Sequence, residues 1–525
     1  MTRILSRRRF VRNAAACSLF PLLPARFWAQ PGSSSAQRVL IRSDVEIGLV
    51  RPEFHGHFAE HLGSCVYGGL WVGRNSSIPN IDGYRKQAVE YLRELGIPVL
   101  RWPGGCFADD YHWRDGIGPL AQRPKRVNIH WGGYVEDNSF GTHEFIGLCR
   151  LLNAEPYLAG NVGSGSPREL REWIEYCNFP SGSSLAEERA ANGSPEPFHV
   201  RYWGVGNESW GCGGDMKPEE YAALYRDFAV YCREFGGTKP FLVASGPSGN
   251  DLRWSRGFMD NLRGAQPQGL SMHYYTGGRD RATDFTPEHA NDQLSIYARV
   301  EQAIAQQRSL LDSYRDGQNI GLILDEWGVW DRIPAEDEKR YGKLWQQSTI
   351  RSAVAAGLGL NIFNRLADKL YMCNIAQIVN VLQSLLLTDG PEGKQCMRTT
   401  TYHAFSLFKA HREKMAVKVE TDAAVSDKDK SALDLSVSAS TKNGVIVLSL
   451  VNPFPDQDME IQCSLRGASA KDGSAVLLHD NDWNAYNGFD APDRVVPKPH
   501  PIKLEGSSVR LDLPRMSVAT VTLTP

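Results

Sequence analysis

Two glutamates stand in settings suited to acid–base work: Glu208 in Gly206-Asn207-Glu208-Ser209-Trp210, and Glu326 in Leu324-Asp325-Glu326-Trp327-Gly328. Cleaving an acetal needs two carboxyl groups in different protonation states. One protonates the leaving oxygen, and the other supports or attacks the oxocarbenium-like carbon. Mutual repulsion and partial burial keep one of two close carboxyls protonated near neutral pH while its partner stays ionised. A tryptophan beside each offers a surface that excludes water. Either glutamate alone reads as well as a strand-end carboxylate capping the next helix. The two together, in Asn-Glu and Asp-Glu-Trp settings, favour the chemical reading.

The fold must bring these two residues together. Short apolar runs without strict alternation recur at Phe54–Phe58, Val99–Trp102, Pro156–Asn161, Tyr202–Gly206, Phe241–Ser245, Leu270–Tyr274, Gly321–Leu324 and Leu360–Phe363. Such runs suit strands buried on both faces of a parallel sheet. Amphipathic stretches lie between them. One is His143–Asn153, with Phe145, Leu148, Cys149 and Leu152 on one face; another is Lys217–Phe235, opened by Pro218-Glu219-Glu220 and closed by Gly236-Gly237. Eight strand-plus-helix units predict a (β/α)₈ TIM barrel over residues 54–395, with active groups at the C-terminal ends of the strands. Glu208 ends the fourth strand and Glu326 the seventh. Opposite positions on one mouth place their carboxyls roughly 5–5.5 Å apart, as direct attack requires. No glycine fingerprint for a dinucleotide or phosphate loop follows the first strand.

Beyond about residue 415 the texture changes to alternating strand-length pieces separated by Gly, Pro, Asn and Asp, such as Gly444–Val451 and Ser508–Thr524. This predicts an antiparallel β-sandwich over residues 396–525. Segment 479–502, rich in Asn, Asp and Pro, is expected to be a long surface loop.

Six ordered blocks extend the pattern: Gly56–Gly63, Leu100–Phe107, Trp113–Pro119, Tyr202–Glu208, Asp325–Trp327 and Asn374–Asn380, with Pro514–Val518 in the sandwich. On these blocks the chain resembles the α-L-arabinofuranosidases of glycoside hydrolase family 51. The resemblance implies that Glu208 is the acid/base and Glu326 the nucleophile of a retaining hydrolase acting on terminal α-L-arabinofuranosyl groups. It implies that Glu60, Arg101, Asn207, Tyr275 and Gln377 hold the sugar ring, and that His273 and Trp131 line the pocket. Cys106 stands where many relatives carry asparagine, so one ring contact is weakened or made by backbone. Leu366 stands where histidine is expected, which points to an altered eighth loop. Residues 38–53 are expected to join the sandwich. The partner molecule implied is an arabinofuranosyl-containing oligo- or polysaccharide, with homo-oligomers frequent and neither cofactor nor metal required. Arg101 also reads as a structural partner that keeps Glu326 ionised. The competing functional readings are a related barrel hydrolase for pyranosides (a β-xylosidase or β-1,4-endoglucanase) and a non-catalytic carbohydrate-binding protein.

Composition narrows the partners. The 525 residues carry a net charge of −2 at pH 7, which points neither to nucleic acid nor to an anionic membrane surface. Ser6-Arg7-Arg8-Arg9-Phe10-Val11-Arg12, the apolar stretch Ala14–Leu23 and the small-residue exit near Ala29 read as a twin-arginine-type signal over residues 1–30. They predict an exported, periplasmic or extracellular protein. No other stretch is a candidate span. The ten cysteines include no Cys-x-x-Cys, and no disulfide is assigned. His55, His57 and His61 with Glu60 suggest metal ligands, a reading that the carboxylate pair makes unnecessary.

Overall fold

The computed structural model describes residues 36–422 and 433–525. The residues read as a signal lie outside it. Eight parallel strands close into a barrel: β2 (Gly56–Phe58), β3 (Val99–Trp102), β4 (Glu155–Gly160), β5 (Tyr202–Val205), β6 (Phe241–Ala244), β7 (Gly269–Gly277), β8 (Gly321–Trp330) and β9 (Leu370–Ala376). Each pairs with its sequence neighbours, and β9 returns to β2. All positions of β3, β5 and β6 are buried, because helices cover one face of the ring and side chains fill the other.

Two of these helices show how the sequence sets their ends. In α1 (Thr142–Leu152) the Glu144 carboxylate accepts the Gly141 N–H, and Asn153 in the left-handed region stops the helix. In α2 (Pro218–Ala229), Pro218 fits the first turn, where its missing N–H would have had no helical partner. The helix ends at Ala229, earlier than the glycine pair predicts.

The eighth strand departs from the sequence reading. Leu360–Phe363 lies inside α3 (Ile350–Arg365), and the strand is Leu370–Ala376 instead. The helix is buried from Ile350 to Asn364 because the barrel lies on one side and the sandwich on the other. A helix buried all round has no polar face, so a short piece of it looks like a buried strand. Leu366 follows the C-terminus of α3 and precedes β9. It therefore lies at the end of the barrel remote from the strands' C-terminal mouth, and the loop after the eighth strand is not altered by it.

The second layer is one ten-stranded sheet folded over its own core. Its strands are β1 (Gln37–Leu49), β10 (Met415–Thr421), β11 (Ser436–Lys442), β12 (Val445–Asn452), β13 (Met459–Arg466), β14 (Asp472–Leu478), β15 (Lys498–His500), β16 (Lys503–Glu505), β17 (Ser508–Leu513) and β18 (Ser517–Thr524). The order is β15-β14-β18-β12-β11-β10-β1-β13-β17-β16, antiparallel except for β1 beside β13. Ile41, Leu448, Ile461 and Val521 meet in its interior. In β17 burial alternates strictly, the signature of a sheet with one wet face. Between barrel and sandwich, α4 (Thr400–Phe408) adds a further buried helix. Segment 479–497 is a loop, but it is not free at the surface. Trp483 and Asn484 donate to the Phe285 carbonyl at 3.1 and 2.8 Å, tying the loop to the barrel mouth.

Candidate active site

Glu208 lies just beyond the C-terminal end of β5. Gly206 (φ 80°) and Glu208 itself (φ 40°) both occupy the left-handed region, which turns the chain across the mouth. For a glutamate that conformation is sparsely populated and persists only where surroundings enforce it. Asp109 provides the enforcement. Its Oδ2 accepts the Asn207 N–H at 2.9 Å, and its Oδ1 accepts the N–H groups of Val162 and Gly163 at 2.7 and 3.0 Å.

Glu326 arrives by a different device. The β7–β8 pairing shifts register, so that Met272 opposes Leu324 and His273 opposes Glu326, leaving Asp325 as an extra residue. A bulge breaks the alternation of side chains. It allows the consecutive acids Asp325 and Glu326 to meet the same Arg101: Nη1 donates to Glu326 Oε1 at 2.7 Å, and Nε lies 3.4 Å from Asp325 Oδ2. Asp325 is fixed in turn by the Tyr157 hydroxyl and Asn374 Nδ2, each at 2.8 Å.

The two glutamates converge with His273. Carboxyl oxygens of Glu208 and Glu326 and a His273 nitrogen all lie within 4.8 Å of one another. His273 Nδ1 is 2.9 Å from Glu208 Oε1 and 3.6 Å from Glu326 Oε2. The Tyr275 hydroxyl donates to Glu326 Oε2 at 2.8 Å. No side chain fits at Gly105, where a Cβ would stand 2.9 Å from Glu326 Oε1.

The electrostatics separate the groups. Burial opposes the charge on Glu326, but His273 and Arg101 outweigh it and hold its pKa below the usual carboxylate value. Burial also opposes the charge on His273, and Glu326 and Glu208 reverse the balance, raising it. Arg101 follows the same logic and stays a guanidinium between Asp325 and Glu326. Glu60 is pushed up to about 7 by burial and the Glu326 charge, against the pull of the Phe107 and Trp131 N–H groups. Its Oε1 accepts from Gly105 N, Phe107 N and Trp131 Nε1 at 3.0, 3.1 and 2.9 Å, and its Oε2 from Gln377 Nε2 at 3.1 Å.

These groups line a cavity of about 500 Å³ whose walls include Trp131, Trp210, Tyr274 and Trp330. Glu60, Cys106, Trp131, Glu208, His273, Tyr275, Glu326 and Gln377 all border it. Gln377 Oε1 is buried without a partner. Arg101 and Asn207 sit beneath, and Arg101 spends its second Nη on Asn207 Oδ1 at 2.6 Å. That geometry favours the role of Arg101 as partner of Glu326 over contact with a ligand. Cys106 is bonded to Cys212, tying the loop after β3 to the loop after β5 beside Glu208. The pairing was not assigned from sequence, since nothing in the spacing of residues 106 positions apart marks it.

The histidine cluster does not form. His55 and His57 pack on Phe405 with ring centroids at 5.8 and 5.2 Å, while burial and the Arg412 charge push their pKa well below the ordinary value. His61 lies apart, between Trp102 Nε1 and Glu136, each at 3.1 Å. Among the described residues, these histidines and Glu60 do not gather at metal-binding distance.

Comparison with known proteins decides the family. Residues 91–291 match the alpha-L-arabinofuranosidase 1 domain, and residues 325–517 the alpha-L-arabinofuranosidase C-terminal domain. An intracellular exo-alpha-L-arabinofuranosidase of Bacteroides ovatus is 42% identical over 96% of this chain and 99% of its own length. The GH51 arabinofuranosidase of Xanthomonas axonopodis pv. citri superposes with a TM-score of 0.88 at 36% identity, covering 93% of this chain and all of the other. The chain belongs to the glycoside hydrolase family 51 α-L-arabinofuranosidases. Within the family, a probable alpha-L-arabinofuranosidase C of Aspergillus terreus is 32% identical over 83% of this chain and 88% of its own.

Family membership also brings a correction. The expectation of export is overturned, because the Bacteroides ovatus family 51 relative, aligned over 96% of this chain, is named intracellular. A basic head followed by a short apolar stretch is a compositional pattern that many chains reach without being translocated. The sequence also left the supports of the site unread. Asp109, Tyr157 and Asn374 act through partners on other strands, which no local pattern records. Asp325 stood in view beside Glu326, and only the bulge reveals its separate task.

Proposed function

We propose that this family 51 enzyme removes terminal α-L-arabinofuranosyl residues from arabinose-containing glycans by double displacement, with Glu208 as acid/base and Glu326 as nucleophile. The observation that carries the reading is the pair of carboxyls within 4.8 Å, one of them held charged by Arg101 and His273. Retaining glycosidases keep their two carboxyl groups roughly 5–5.5 Å apart, whereas inverting ones need about 6.5–9.5 Å to admit water.

In the first step Glu326 Oε attacks the anomeric carbon while Glu208 gives its proton to the glycosidic oxygen. The C–O bond breaks, the remaining glycan leaves as an alcohol, and an arabinosyl ester of Glu326 forms. In the second step Glu208, now a carboxylate, takes a proton from water, the oxygen attacks the same carbon from the face the glycan left, and the bond to Glu326 breaks to release its carboxylate. Two inversions return arabinose with its original anomeric configuration. His273, beside both carboxyls, stabilises the negative charge that shifts between them. Glu60, Gln377 and Tyr275 hold the ring.

Glu326→Ala is expected to abolish turnover of an aryl α-L-arabinofuranoside. Added azide restores it and yields the glycosyl azide of opposite anomeric configuration, read by NMR. Activity close to wild type in Glu326→Ala would refute the assignment. Turnover of aryl xyloside above aryl arabinofuranoside would shift the substrate to pyranosides.

A further inference from the structure

The loop that carries Glu208 is rich in glycine. Gly211-Cys212-Gly213-Gly214 lies just beyond it, and glycine has the widest backbone freedom of any residue. The loop curls back so that the N–H groups of Gly211 and Gly213 donate to the Glu208 carbonyl at 2.7 and 3.2 Å. Whatever pins this curl sets where the Glu208 side chain stands. The Ser209 N–H donates to Ser245 Oγ and Trp210 Nε1 to the Gly246 carbonyl, at 3.2 and 3.1 Å, which ties the loop towards β6. Two ties run the other way, to the loop after β3, and they straddle the glutamate. Asp109 holds Asn207, and Cys106 holds Cys212.

The Cys106 end is the rigid one. On either side of it, the N–H groups of Gly105 and Phe107 donate to Glu60 at 3.0 and 3.1 Å. The disulfide therefore lends the fixed position of residues 105–107 to a glycine-rich turn. It also meets the carboxyl group directly. Glu208 Oε1 faces His273 Nδ1 at 2.9 Å, while Oε2 lies 3.5 Å from Cys212 Sγ and 3.9 Å from Cys106 Sγ. A disulfide sulfur has no proton to donate, whereas each thiol that replaces it does. Opening the bond loosens the turn and sets two S–H donors beside the oxygen.

The bond is also open to attack. Cys106 borders the cavity and Cys212 is exposed, so a small thiol can reach it. The other described cysteines are buried or half-buried, and burial raises their thiol pKa. Exchange needs a thiolate, so these residues do not compete for the bond.

We infer that the Cys106–Cys212 bond is a redox-controlled positioning element for Glu208, weakening proton donation when a dithiol reductant opens it and restoring it on reoxidation. The role rests on Glu208 being the acid/base. A thiolate of the reductant attacks Cys212 Sγ, the bond between the sulfurs breaks, and Cys106 leaves as a thiolate that takes up a proton. The second thiol of the reductant then displaces Cys212. The protein disulfide gains two electrons and two protons, and the dithiol becomes a cyclic disulfide.

The test assays the full chain after air oxidation and after dithiothreitol, with alkylation and mass spectrometry reporting the state of Cys106 and Cys212. Two substrates are compared: methyl α-L-arabinofuranoside, whose alcohol needs a proton to leave, and a dinitrophenyl α-L-arabinofuranoside, whose phenolate leaves without one. General acid catalysis contributes about 10²–10⁴, and reduction is expected to forfeit part of it, lowering kcat/KM on the methyl glycoside at least about 10-fold while the dinitrophenyl glycoside stays within about twofold. Reoxidation restores the methyl rate, and Cys212→Ser shows the reduced behaviour without responding to dithiothreitol. General loosening of the fold would depress both substrates alike. An equal loss on both, no loss on either after confirmed reduction, or free thiols at both positions in the air-oxidised protein overturns the inference. Glu208→Ala should show the same contrast at greater size. Its absence there would instead remove the acid/base reading on which the role of the disulfide rests.

Discussion

Two buried ion networks in this molecule look alike in composition and differ in how they are closed. Beneath the sandwich, Arg351 donates to Asp331 and to Gln293, while Gln293 returns a bond to Asp331 at 2.8 Å. The Arg351 and Asp331 side chains are wholly excluded from solvent, and the guanidinium lies 3.8 Å from the centre of the Phe285 ring. At the barrel mouth Arg101 joins two carboxylates, Asp325 and Glu326, where Arg351 joins one carboxylate and an amide. There, however, Glu326 forms the floor of a cavity and has Glu208 and His273 at its side. Both networks carry the cost of moving charge out of water. The first uses its bonds to hold parts of the chain together. The second brings a charged carboxylate to the wall of a cavity, where its charge can act on a bound molecule. Closure, rather than burial or charge, separates the structural cluster from the chemical one.

Breaking each network at its arginine sharpens the contrast. Arg101→Met leaves Asp325 and Glu326 buried without their guanidinium, so Glu326 loses one of the two groups that hold it ionised. Removing one preorganised charge partner from an active site costs on the order of 10²–10³ in kcat. We expect a loss of that size, with KM changed much less, in protein whose circular dichroism remains native. Retention of wild-type kcat would show that Arg101 is structural only, and the two networks would then be equivalent.

Arg351→Met is the matched experiment. Removing one partner of a buried pair costs about 3–5 kcal/mol because the other charge stays unpaired. Urea denaturation should show the midpoint falling accordingly, while kcat per folded molecule stays within about twofold, since no group of that network borders the catalytic cavity. A large fall in kcat with an unchanged midpoint would reverse the roles assigned to the two clusters.

The same contrast explains what the sequence disclosed. Strands with one wet face, such as β13 and β17, announce themselves by alternation, and the two glutamates announce themselves by ending strands in Asn-Glu and Asp-Glu-Trp. The eighth strand was misplaced because α3 is apolar on every side, and burial all round erases the period that distinguishes helix from strand. Polar residues read as binding groups divided on the structure. Glu60 and Gln377 face the cavity, whereas Arg101 and Asn207 lie under it, and depth beneath a surface is not written in residue type. Asp109 and the Cys106–Cys212 bond link segments far apart in sequence, so they became visible only with the fold.

The smallest effect expected comes from the proton at the boundary of the open network. His273 faces Glu208, Glu326 and Arg101, and its pKa is raised because the two carboxylates outweigh burial and the arginine. A group protonated more readily when folded stabilises the fold fully below its unfolded pKa of about 6.5, and that contribution disappears as pH rises through the folded value. Glu60, pushed up to about 7, also loses stability with rising pH, but mainly below that value. Subtracting His273→Asn from wild type removes the Glu60 contribution, provided the asparagine leaves Glu60 undisturbed. The difference in Tm should therefore be greatest in mild acid and shrink towards alkaline pH. Arg351→Met offers the control, since its network contains no histidine and its Tm deficit should stay level across the same range. A His273→Asn difference that grows with pH would mean that the imidazole is held neutral between the carboxyls. The charge on Glu326 would then depend on Arg101 alone.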